Sequence, residues 1–206
     1  MSRRRIRRGV MTILLLSAVA VLLASCQSSA GAGRGAYYPA PTGTVPIMGR
    51  GSKTVPQLAS FLLREHPEAN AQEVLMLAEM YVEEARIEGV DHDVAFCQMC
   101  HETNYLRFDG DVRRHQNNFA GIGATGGGVP GDSFPDERTG IRAQIQHLKA
   151  YASTKRLRRR LVDPRFWRVR RGSALYVENL TRKWATDPAY DTKIIKIYHA
   201  LAAQPY

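Results

Sequence analysis

Apolar residues recur at helical spacing in six stretches, separated by break signals. Leu58, Phe61 and Leu62 set the first, which opens near Pro56 with Thr54 placed to cap it and stops at His66-Pro67. Val74, Leu75, Leu77, Ala78, Tyr81 and Ala85 give a broad stripe over 72–88, with Glu73, Glu79, Glu83 and Glu84 expected to face water and Gly89 ending the helix. The third stretch, 92–104, follows a capping Asp91 or Asp93. Val94, Ala95, Phe96, Cys97, Met99 and Cys100 leave it almost no polar face, the mark of a helix central to a core. Ile141, Ile145, Leu148 and Ala152 predict a fourth helix over 137–152, capped by Asp136 or Thr139. The run ALYVENLTRKWA predicts a fifth over 174–185. A sixth, 188–202, rests on Ile194, Ile195, Ile197, Tyr198 and Leu201.

Residues 109–137 hold no sustained period. They carry DG, NN, GIGATGGG, VPGD and FPDE, while Phe119, Ile122, Val129 and Phe134 argue for an ordered, functional loop with a weak strand or hairpin around 119–135. Residues 26–54, rich in glycine, proline and small side chains, read as a flexible tether, with Ile47-Met48-Gly49 the earliest point of contact with the domain. The expected fold is mainly α: one domain over 55–206, with a long glycine-rich loop or small β-hairpin at its cleft.

The start of the chain changes this picture. Arg3, Arg4, Arg5, Arg7 and Arg8 precede a short apolar run that ends at Leu23-Ala24-Ser25-Cys26. That is a signal peptide over 1–25 followed by a lipoprotein-type cysteine, so Cys26 is expected to carry the lipid that ties the chain to a bacterial envelope membrane. Gln27 after it leans toward the outer membrane, with the domain facing the periplasm. The formal charge of +10 falls to +5 once those five arginines are removed. An exported, mildly basic chain points to cell wall or lipid headgroups and away from nucleic acid. A basic run over 155–171, interleaved with Phe166 and Trp167, reads first as a solvated face and second as a wall or lipid contact.

Two chemistries compete in 92–128. Cys97-Gln98-Met99-Cys100-His101 is spelled like a c-type haem attachment site, but it lies inside an unbroken apolar helix, where two core cysteines are the plainer reading. No zinc set or other metal site is expected, and no cofactor. Glu102, at the end of the same helix, suits a buried acid that holds a proton for a leaving group. Tyr105 and Phe108 can wall it, and Gln116, Asn117 and Asn118 offer amides to a sugar. Gly121, Gly123 and Gly126–Gly128 permit close approach of backbone to ligand.

Gln98 with Glu102-Thr103, then Asn117-Asn118-Phe119-Ala120-Gly121-Ile122, then Trp184-Ala185-Thr186-Asp187-Pro188 with Tyr190 and Lys193-Ile194 together resemble the glucosaminidase family of bacterial cell-wall hydrolases, glycoside hydrolase family 73. The resemblance covers about residues 55–203. It implies a lysozyme-like fold that cleaves the β-1,4 bond after N-acetylglucosamine in peptidoglycan, acting as a monomer on glycan strands. Glu102 matches the family's acid and Tyr190 its assisting tyrosine. Gln98, Tyr105, Asn117, Asn118, Phe119 and Gly121 become substrate contacts. A second carboxylate falls among Asp132, Asp136 and Glu137, with Asp109 and Asp111 nearer in sequence. A lytic transglycosylase, a non-catalytic wall-binding lipoprotein and a haem carrier remain as alternatives.

Overall fold

The computed structural model describes residues 43–204. The signal peptide, Cys26 and the first part of the expected tether lie outside the described residues.

Among the described residues five α-helices form: α1 Val55–Glu65, α2 Ala71–Glu88, α3 His92–Glu102, α4 Glu137–Ala152 and α5 Tyr190–Ala202. Their ends are chemically marked. At α1, Gln57 Oε1 accepts from Thr54 N at 2.9 Å, and Pro56 occupies the first turn. The Asn70 side chain accepts from Glu73 N to start α2, and Gly89 ends it in the left-handed region (φ 76°). Asp91 Oδ1 accepts from Asp93 N and Val94 N to start α3, and Asp136 Oδ1 accepts from Thr139 N to start α4. Each of these caps satisfies backbone groups that have no partner within the helix, and at α3 they are buried.

α3 is the spine. Every residue from His92 to Cys100 is buried, and α3 contacts all four other helices. Phe96, Met99, Cys97 and Cys100 are fully enclosed, together with Phe61, Leu77 and Leu201 from its neighbours. Each large apolar side chain so enclosed contributes about 1.5–3 kcal/mol.

Three expectations need correction. Glu84, placed on the wet face of α2, is buried, because Arg138 and Arg142 of α4 reach it across the α2–α4 seam. Residues 45–53, assigned to the tether, belong to the domain: Val45 and Ile47 are core residues, and Ser52 N and Lys53 N donate to the Asp93 carboxylate. The helix expected over 174–185 does not form. That segment makes a single 3-10 turn, Val177–Asn179, because Val177 N donates to Val45 O and Ile47 N to Leu175 O. An extended segment at 45–47 captures backbone groups that a helix would need.

Candidate active site

α3 ends at Glu102 through an abrupt change of hand. Asn104, Tyr105, Leu106 and Phe108 all have positive φ, an unfavourable conformation for side-chain-bearing residues that tertiary bonds must hold. Thr103 Oγ1 supplies one, donating to Met99 O (2.8 Å) and accepting from Leu106 N (2.9 Å). Tyr105 N to Cys100 O and Phe108 N to Thr103 O supply two more. Glu102 is thereby left at the C-terminal end of the helix, where the macrodipole opposes negative charge.

Neutral partners surround its carboxyl. Tyr190, the first residue of α5, donates its hydroxyl to Glu102 Oε1 at 2.5 Å. Behind it runs a chain of buried amides. Gln98 Nε2 donates to Tyr190 Oη (2.9 Å), Gln144 Nε2 donates to Gln98 Oε1 (2.9 Å), and Tyr81 Oη donates to Gln144 Oε1 (2.6 Å). The direction of the chain is fixed at one point: Gln144 Nε2 also donates to the carbonyl of Ala95, which can only accept. Every donor upstream is then committed, and the tyrosine proton has Glu102 as its destination. Burial pushes the Glu102 carboxyl up to about 7, with the Tyr190 hydroxyl and the Trp184 N–H pulling part of the way back. Burial also raises the Tyr190 hydroxyl well above its ordinary value, so it stays a donor.

Over Oε2 lies the loop. Gly121 has φ 63°, and a Cβ there would sit 3.1 Å from Glu102 Oε2, so a side chain at this position would cover the acid. The Trp184 indole N–H donates to Ala120 O, holding that roof in place (3.2 Å). From Gly121 a groove of about 220 Å³ continues past Ile122, Gly123, His147, Tyr151, Arg168 and Trp184. His147 Nδ1 lies 2.7 Å from Asp163 Oδ2, and its ring stands edge-on to Trp184 at 4.8 Å.

The expected substrate contacts divide. Gly121 stands at the acid. Gln98, 1% exposed, has both ends of its amide bonded inside the protein, so it supports Tyr190 instead of touching a sugar. Asn118 is equally buried and builds the loop: Nδ2 donates to Ile122 O and Asp132 O, and Oδ1 accepts from Ile122 N. Asn117 Nδ2 donates to Phe134 O and Gln116 Nε2 to Gly131 O. Three consecutive amides thus replace the ladder of the hairpin expected at 119–135, and no strand forms there among the described residues. Phe119 is a core residue against Phe108. Tyr105 turns toward Phe61 of α1, away from the groove.

The carboxylate candidates also have partners. Asp136 caps α4. Glu137 pairs with Arg114 (3.1 Å). Asp109 accepts from Asn104 and Asp111 from Gly128 N. Asp132 stands beside the groove but is bound by Arg165 Nε at 2.6 Å. Cys97 and Cys100 are free thiols with no exposed surface, and burial raises both. Enclosed among core side chains, neither can reach a haem edge. Sequence reasoning missed the parts of the relay contributed by Tyr81 and Gln144. The available signal was Gln144 itself, a polar residue between core positions Ile141, Ala143, Ile145 and Leu148 of an otherwise apolar helix face.

A helical domain with a raised glutamate carboxyl against a groove-lining glycine has the parts of a glycosidase-type site. The comparisons narrow it. The family model described as mannosyl-glycoprotein endo-beta-N-acetylglucosaminidase matches residues 78–203, and the chain belongs to this glucosaminidase family. An uncharacterized protein of Borreliella burgdorferi is 44% identical over 151 residues, covering 73% of this chain and 74% of its own. No solved structure matches.

Proposed function

We propose that the protein hydrolyses peptidoglycan at the β-1,4 bond after N-acetylglucosamine, with Glu102 as general acid and Tyr190 as its positioning partner. One observation carries this reading: a carboxyl with neutral partners, raised to about 7, whose Oε2 lies against Gly121 at the end of a groove. Oε1 is occupied by the tyrosine hydrogen, so the acid's own proton belongs on Oε2, the oxygen beside Gly121. From there it passes to the glycosidic oxygen as the bond breaks. Water, or the acetamide of the substrate sugar, attacks the anomeric carbon on the other face. As Glu102 becomes anionic, the directed hydroxyl of Tyr190 stabilises the new charge.

Digestion of purified peptidoglycan by wild type and Glu102→Gln, with reducing-end and mass analysis, tests this. Wild type should release N-acetylglucosamine reducing ends, and the variant should lose about 10²–10⁴-fold in rate, the range for a removed general acid. Anhydromuramic ends would assign a transglycosylase, and undiminished release by the variant would remove Glu102 from the mechanism. The reading also places the domain at the bacterial envelope, tethered by lipid on Cys26. Loss of membrane association in Cys26→Ser checks that placement.

A further inference from the structure

The groove does not stop at Tyr151. It meets a second cavity of about 580 Å³ that shares Tyr151, Arg168 and Val169 with it and adds Arg170, Arg171 and Lys183. Four cations line this outer cavity and no carboxylate does. Two are occupied: Arg171 donates to Ser153 O and Lys155 O and lies over Phe166, and the Lys183 amine donates to Ser173 O. Arg168 and Arg170 are exposed, and neither has a carboxylate partner among the described residues. By contrast, Arg165, which lines the inner groove, is neutralised by Asp132. A concave wall of one sign concentrates the field and selects anions, and guanidinium groups match carboxylates in geometry as well as charge.

Resting on the peptidoglycan reading above, we propose that this outer cavity is a carboxylate-binding subsite for the peptide carried by the glycan strand. The acid at Gly121 marks the bond to be cut, and Trp184 and Tyr151 line the path of the sugars. The strand's acidic peptide then falls beside Arg168 and Arg170. Peptide-bearing strands are held by both sugar and charge, and peptide-free strands by sugar alone.

The test measures binding without turnover. The full chain carrying Glu102→Gln is titrated calorimetrically with peptide-bearing strands and with the same strands after amidase removal of the peptides. Peptide-bearing strands should bind about fivefold tighter, the scale of a few exposed charge contacts. That preference should vanish when Arg168→Ala and Arg170→Ala are added, and shrink in high salt. Equal affinity for both strands, or a preference that survives the arginine changes, overturns the proposal. So does loss of binding to phosphatidylglycerol vesicles in the arginine variant with its strand preference intact, which would give these cations to a membrane surface. Cleavage of peptide-bearing strands by the protein with Glu102 intact is followed in parallel. Its absence counts against the proposed reaction alone, because the binding comparison requires no catalysis.

Discussion

The α2–α4 seam and the α3–α5 seam both take glutamates out of water, Glu84 and Glu88 fully and Glu102 in part, and they treat them in opposite ways. Burial raises the pKa of Glu84 on α2, but the Arg142 guanidinium, bonded at 2.9 and 3.0 Å, and Arg138 beside it outweigh that and hold it below its ordinary value. Glu88, one turn further on, receives Lys149 Nζ at 2.7 Å and the backbone N–H groups of Arg158 and Arg159. Glu102 on α3 has a hydroxyl, no paired cation and a helix C-terminus, and it is pushed up to about 7. Glu84 is fully buried and Glu102 half-buried, yet burial is the largest cause acting on both and only Glu102 is raised, so the partner's charge decides the role. A cation holds a desolvated glutamate as an anion, and a neutral donor leaves its pKa raised, as the proposed acid requires. The seams meet in Gln144, an α4 residue whose amide reaches into α3 and directs the hydrogen bonds toward Glu102.

The comparison breaks hardest at Lys149. Lys149→Met leaves Glu88 buried with backbone donors and no cation, and should cost about 3–5 kcal/mol in denaturant unfolding. A loss under about 1 kcal/mol would show that the α2–α4 seam does not depend on its ion pair. Next in size is the stability of Glu102→Gln. Folded Glu102 keeps its proton to about pH 7, whereas the unfolded residue releases it near the ordinary 4.5. The folded state binds the extra proton within that window. This contribution is therefore full below pH 4.5 and is lost as pH rises to about 7. Glu102→Gln, neutral throughout, should match wild type at pH 4 and exceed it at pH 8 by about 2 kcal/mol. Glu84 has the opposite sign: its lowered pKa contributes stability above the ordinary value that disappears as pH falls. Thermal unfolding of both proteins across pH 4–8 reads the difference, and a Glu102→Gln protein less stable at pH 8 would contradict the uncompensated carboxyl.

Five of the six helices were legible because their apolar positions and caps act locally. Asp91, Asp136 and Gly89 mark their ends by chemistry within four residues of the boundary. Two misreadings have one cause. Residues 45–47 looked like tether and 174–185 like helix, yet Val45, Ile47, Leu175 and Val177 bond to one another across some 130 residues. Period-based reading detects a pattern within a segment and is blind to a backbone partner elsewhere. The site followed the same rule. Glu102 and Tyr190 carry motif signals, but the roles of Gln98, Asn117 and Asn118 depend on whether their amides meet solvent or backbone, and only packing sets that. Their polarity suggested a sugar, while their internal hydrogen bonds make them a relay and a set of loop staples. Glu84 was misplaced for a related reason, since its arginine partners come from another helix.

The smallest effect separates the relay from simple burial. Tyr190→Phe keeps the ring that encloses Glu102 but removes its hydrogen-bond donor, and it leaves Gln98 Nε2 without an acceptor. Leaving that buried amide unmatched should cost about 1 kcal/mol of stability. The pH profile is more telling. Burial is the main cause raising the Glu102 carboxyl, and the Tyr190 hydroxyl opposes it by stabilising the anion. Removing the hydroxyl takes away only the opposing contribution, so the acid should hold its proton to higher pH. The alkaline limb of kcat against pH therefore moves up in Tyr190→Phe, even as the rate falls from loss of stabilisation of the anion formed on proton transfer. If Tyr190 mattered only as a wall, the phenylalanine ring would keep the limb in place. A limb that moves down would mean that the variant admits water, and that enclosure by the ring, rather than the directed hydroxyl, governs the acid.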